Sequence, residues 1–178
     1  MTEFCREYTI LNKIENWSAI TVGFFIIYRL LLGTWLDFFL MMSITLLAVF
    51  YLWFGFFLFN RTLPLDMLDR RKRALFVPYK VTISIMMGLI YSICLIAILF
   101  GFSFFPPMQT LLWLSLILLA GSTAFILFKH WLKKGPDLFA QQFYIRSAII
   151  GGLLLLMLSI PLNTRLQILY RKHPDFIE

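Results

Sequence analysis

The sequence predicts an all-α integral membrane protein, a polytopic bundle of about five transmembrane helices joined by short loops. Three observations predict it. Of the 178 residues, 61% are hydrophobic and 14% charged, against roughly 45–50% apolar and about 25% charged in soluble domains. Residues 81–105 run for 25 positions without a charge, where a helix needs about 20 to cross the hydrocarbon. The charges cluster between such runs, and those connections are too short to hold a second core, so residues 1–178 read as one transmembrane domain.

Taken in order, the first apolar run is 17–36, after the mixed-charge segment 2–16. It carries Arg29 and ends near Gly33, Thr34 and Asp37. It crosses if Arg29 extends its head toward the interface; otherwise it is an interfacial or re-entrant helix and four crossings remain. No small-residue cleavage pattern follows it, so this helix is expected to be retained. The second run, 38–59, is uncharged and crowded with aromatics. The third, 81–105, is closed by Pro106 and Pro107, which cannot continue a helix ladder and mark a tight turn. The fourth, 110–128, ends at Lys129, His130, Lys133 and Lys134, and the fifth, 145–162, has Arg146 at its edge and Pro161 near its end. That last run is short and crosses with modest bilayer adjustment.

The net charge of +7 does not point to nucleic acid, because the basic residues follow the positive-inside pattern. Arg61, Arg70, Arg71, Lys72, Arg73 and Lys80 lie between runs two and three, and Lys129, Lys133, Lys134 and Arg146 between four and five. The turn at 103–109 has no charge, and that at 33–37 no basic residue. Five crossings then place the N-terminus in the cytoplasm and the C-terminus outside, although Arg165, Arg171 and Lys172 in the tail oppose this slightly. The Phe- and Ile-rich composition and short loops resemble small inner-membrane proteins of AT-rich bacterial genomes, which implies a bacterial inner membrane and carries over no residue roles.

Within the loop 60–80, residues 62–76 read as a short amphipathic helix. Thr62 suits its cap, Pro64 its first turn, Asp66 and Asp69 its N-terminal end and Arg70–Arg73 the other. Arg70, Arg71, Lys72 and Arg73 would bind anionic lipid or an acidic partner, or simply fix topology. Arg29 is the one charge well inside an apolar run. It would bind a lipid phosphate, a partner carboxylate, or Asp37 eight residues on, on roughly the same helix face.

Small residues at four-residue spacing let helices approach closely in lipid. Ser84, Gly88 and Ser92 form such a track on run three, Ala120 and Ala124 on run four, and Ser147, Ala148, Gly151 and Gly152 two adjacent tracks on run five. These three runs are therefore expected to form the packed centre, with aromatic run two peripheral.

No Asp or Glu falls within the apolar part of any run, so a carboxylate relay for coupled transport is not expected. Cys5 and Cys94 form no redox motif, and His130 and His173 lie 43 residues apart with no set of metal ligands around them. No cofactor is expected. The first expectation is a non-enzymatic accessory or scaffold subunit that contacts membrane lipids and other integral subunits or copies of itself. The alternatives are an oligomeric pore lined by Ser84, Ser92, Ser115, Ser122 and Thr123, and a lipid-binding or lipid-modifying enzyme using His130 and Asp137.

Overall fold

The computed structural model describes residues 2–32, 34–60, 78–103, 108–132 and 138–159, with side chains described from residue 10 onward apart from 32, 34, 60, 78–80, 130, 132 and 138–142. Among them the chain is all-helical, with α1 Thr2–Leu32, a single 3₁₀ turn Thr34–Leu36, α2 Asp37–Asn60, α3 Pro78–Ser103, α4 Met108–Leu132 and α5 Leu138–Ser159. Among the described residues four segments are long and apolar enough to cross a membrane: Ile10–Leu31, Asp37–Phe59, Val81–Ser103 and Met108–Lys129. The apolar part of α5, Phe143–Ser159, is shorter.

Helix α1 departs most from the sequence expectation. It runs through the mixed-charge segment and stops at Leu32, so its apolar span is Ile10–Leu31 and not 17–36. The reason is visible in the buried positions Leu11, Glu15, Val22, Ile26 and Arg29, which recur at intervals that keep them on one helical face. A charge at each end of that face is tolerated because each finds a partner on another helix. Asp37 then opens α2 in its first turn, where the helix dipole favours a carboxylate, and Pro78 opens α3, where its missing N–H would have no partner anyway.

Neighbouring helices run antiparallel. Phe25 of α1 stacks on Phe39 of α2 with ring centroids 6.1 Å apart, and Tyr51 of α2 meets Tyr91 of α3 at 5.4 Å. Cys94 of α3 donates to the Ser115 carbonyl of α4 at 3.7 Å. Helix α3 is the centre, packed on α2, α4 and α5.

The expectation that the aromatic second run is peripheral is corrected: α2 makes the most extensive contact with α3. Two glycines permit it. A Cβ on Gly88 would stand 2.6 Å from the Tyr51 carbonyl oxygen, and one on Gly55 would stand 2.7 Å from the Gly88 Cα. No larger residue fits either position without moving a backbone. The aromatics of α2 then divide by face, Phe50, Tyr51 and Phe59 inward, Phe38, Phe39 and Trp53 outward.

All five tryptophans, Trp17, Trp35, Trp53, Trp113 and Trp131, are exposed. Trp35 and Trp113 lie where α2 and α4 begin, and Trp53 and Trp131 toward the ends of those helices. Eighteen residues separate each pair, about 27 Å along a helix, close to the roughly 30 Å of a hydrocarbon core. Trp35 and Trp113 at one end and Trp53 and Trp131 at the other mark two aromatic belts of the kind found at membrane interfaces, and Trp17 lies about one turn inside the level of Trp53.

Candidate functional site

Helices α1 and α5 both lie against α2 but make little direct contact with each other. Between them opens a cavity of about 770 Å³, floored by Leu47 and Tyr51 of α2 and Leu95 of α3. Its α1 wall runs from Asn12, Glu15 and Asn16 through Ala19, Val22 and Gly23 to Ile27, and its α5 wall from Ile145 and Arg146 through Ala148, Ile149 and Gly152 to Leu156. The lining is polar at one end and apolar along the rest.

The polar end is a built constellation. The Glu15 carboxylate accepts two hydrogen bonds from Arg146, from Nε at 2.5 Å and from Nη2 at 2.6 Å, the bidentate geometry that makes Arg–carboxylate pairs strong. The Tyr51 hydroxyl donates to the same carboxylate at 2.5 Å. Beneath them the Arg146 guanidinium lies over the Phe59 ring, 5.3 Å from its centroid. Tyr91, fully buried, donates to the Phe143 carbonyl at 3.1 Å and pairs with the Ser147 hydroxyl at 2.8 Å. Its ring packs on those of Phe59 and Phe143 at 5.8 and 5.7 Å. Four helices thus meet at one level, and the Glu15–Arg146 pair is what ties α1 to α5. With side chains only 5% and 12% exposed, neither charge is well solvated, so each depends on the other.

A second ionic site lies at the opposite end of the bundle. Arg29 is 3% exposed, pairs with Asp37 at 2.8 Å and donates from Nη2 to the Phe102 carbonyl at 3.1 Å. Its guanidinium also lies 5.5 Å from the Phe102 ring centroid. The Phe102 carbonyl belongs to the last turn of α3, where no intrahelical donor remains. Arg29 therefore closes that helix end and joins it to the start of α2. Of the partners the sequence suggested for Arg29, the structure provides Asp37. The guanidinium is buried among these groups of its own chain.

The remaining sequence candidates divide by helix face. Ser84, Gly88 and Ser92 are buried on α3, and Ser147 on α5. Gly151 is half-buried, a Cβ there meeting Leu119 at 3.3 Å. Ala120 and Ala124 are exposed, because α4 turns Leu112, Ser115, Leu119 and Ile126 toward the bundle. Ala148 and Gly152 likewise face away from the packed side of α5 and line the cavity. Within the chain these four therefore occupy outward or groove positions, not contacts between its own helices. Arg70, Arg71, Lys72 and Arg73 lie outside the described residues, as do Asp137 and the His130 side chain. No group of His, Cys, Asp or Glu able to hold a metal occurs among the described residues.

Sequence reasoning missed Glu15, Tyr51 and Tyr91. A signal existed for the first: Glu15 and Arg29 are 14 residues apart, two heptads, which puts both on the face of Leu11, Val22 and Ile26. No protein-family profile matches the chain, and comparison with curated proteins and with solved structures finds no match.

Proposed function

We propose that this polytopic membrane protein is a non-enzymatic accessory or scaffold subunit of a larger membrane complex. The observation that carries this reading is how the chain uses its buried polar chemistry. Both carboxylate oxygens of Glu15 accept from Arg146, Tyr51 adds a third bond, and Arg29 engages Asp37 and the end of α3. These groups hold helices to one another, which is the work of a rigid membrane platform. On this reading the basic residues Arg70, Arg71, Lys72 and Arg73 and the outward Ala120 and Ala124 contact lipid or integral partners. The compositional resemblance supports a bacterial inner membrane for the protein, and the distribution of Lys and Arg supports a cytoplasmic N-terminus and an external C-terminus.

The oligomeric pore is less well supported. Ser115 donates to the Leu111 carbonyl at 2.7 Å, and Ser122 and Thr123 donate to the Leu119 carbonyl at 2.9 and 2.6 Å, so these hydroxyls serve their own helix.

Purification in mild detergent with mass determination tests the proposal. A different integral membrane protein is expected to co-elute at fixed stoichiometry. A closed ring of this chain alone, passing ions in liposomes, would favour the pore and overturn the accessory role.

A further inference from the structure

The groove between α1 and α5 has a polarity that its own chain does not require. Two glycines face into it from opposite walls, Gly23 and Gly152, and a Cβ on either would meet nothing within 4 Å. Gly55 and Gly88 are demanded by a helix crossing; these two are demanded by nothing inside the chain. A glycine in a helix interior is less favourable than alanine, and here two of them leave open space on facing walls of one cavity, which points to something seated between the walls.

The gradient along the groove says what that occupant is. Asn12 and Asn16 stand at its polar end beside the Glu15–Arg146 pair, within about a turn of Trp17. Both carry amide donors suited to phosphate and ester oxygens. From Asn16 the α1 wall continues apolar as far as Ile27, eleven residues or about 16 Å on. Half of a roughly 30 Å hydrocarbon core is about 15 Å. The groove's apolar body is therefore about as long as one leaflet is thick, with its polar end toward the N-terminal side of α1. A membrane-spanning partner helix needs twice that depth, and it would have to pass the level at which Glu15 and Arg146 tie the two walls together.

We infer that the groove holds one glycerophospholipid of the adjacent leaflet, an acyl chain lying between Gly23 and Gly152 and the glycerophosphate group at Asn12 and Asn16. The Glu15 and Arg146 charges cancel, so the recognised chemistry is common to zwitterionic and anionic lipids. The retained lipid extends the apolar surface of α1 onto α5 and completes a bundle that the chain alone leaves open on that side. This lipid role is independent of the accessory role proposed above.

Native mass spectrometry of the detergent-purified protein, exposed to zwitterionic and anionic phospholipids of the same acyl chains and to the matching diacylglycerol, tests it. Gly23→Leu and Gly152→Leu project side chains into the groove from positions where a Cβ meets nothing within 4 Å. Gly121→Leu is the control, since a Cβ there also meets nothing within 4 Å but lies outside the groove. The wild type and Gly121→Leu are expected to retain one phospholipid of either kind per chain, at least tenfold above the diacylglycerol. Gly23→Leu and Gly152→Leu are expected to lose that lipid at least tenfold. Equal retention in all four proteins would overturn the site, and equal retention of diacylglycerol would overturn the headgroup contact. If the groove variants lose a protein partner while the wild type carries no bound lipid, the groove is a helix seat; the lipid inference then fails and the accessory role stands.

Discussion

Glu15 and Arg146 show why a charge inside a membrane protein is read through its partner. Neither position is remarkable alone, one in a mixed-charge flank and the other at the edge of an apolar run. Together they form a bidentate pair with side chains only 5% and 12% exposed. Removing one member of such a pair leaves the other buried and uncompensated, a loss of about 3–5 kcal/mol, whereas replacing both with apolar residues is often far milder. In thermal unfolding in detergent, Glu15→Leu and Arg146→Leu are each expected to lower the Tm sharply, and the double variant to recover most of the loss. Additive losses would mean that the two side chains act independently. At the other end of the bundle, Arg29 engages both Asp37 and the Phe102 carbonyl, and Asp37 is the more exposed member of the ion pair, at 23% against 2%. Arg29→Leu should therefore destabilise more than Asp37→Asn, because it also strips the Phe102 carbonyl of its donor. The same unfolding assay checks the order, and equal effects would show that the bond to Phe102 contributes nothing.

Among the elements, the crossing of α2 over α3 is where a single methyl decides packing. Gly88→Ala is expected to destabilise by about 1–3 kcal/mol, the usual cost of overpacking a tight contact. Gly121→Ala, where a new Cβ meets open space, should instead be neutral or stabilise by about 0.5–1 kcal/mol from helix propensity alone. Chemical denaturation in mixed micelles separates the two, and a tolerated Gly88→Ala would mean that α2 and α3 are further apart than described. Helices α2, α3 and α4 were legible from the sequence because long uncharged runs bounded by Pro and Lys leave few alternatives. The start of α1 was not, since an apolar-run criterion ends at Trp17 while the helix continues on a face containing Leu11 and Glu15. The place of α2 was misread for a related reason. Its bulky aromatics suggested a lipid-facing rim, but close approach needed only one glycine, Gly55, opposite Gly88. For Ala120 and Ala124, spacing identified a small-residue stripe without saying which way the helix turns, and the bundle uses the other face of α4.

For the whole molecule, the two belts of tryptophan and the four long apolar helices describe a bundle matched to a bilayer, with one ionic site near each end. Of the candidate site, Arg29 and Ser147 were visible as residues of interest, and Gly152 as a small residue. The groove itself was not, because it arises from α1 and α5 failing to pack against each other, which is a property of arrangement that no spacing encodes. The account rests on α1 crossing the membrane as an integral part of the bundle. Single cysteines at Ile20, Phe24 and Ile27, placed in a chain whose native Cys5 and Cys94 are replaced by alanine, test this directly with a membrane-impermeant thiol reagent on intact membranes. All three positions are exposed, Ile27 at the groove, and all three are expected to stay unlabelled until the membrane is dissolved. Labelling of any of them in the intact membrane would place α1 at the surface, and with it would go the ion-paired groove.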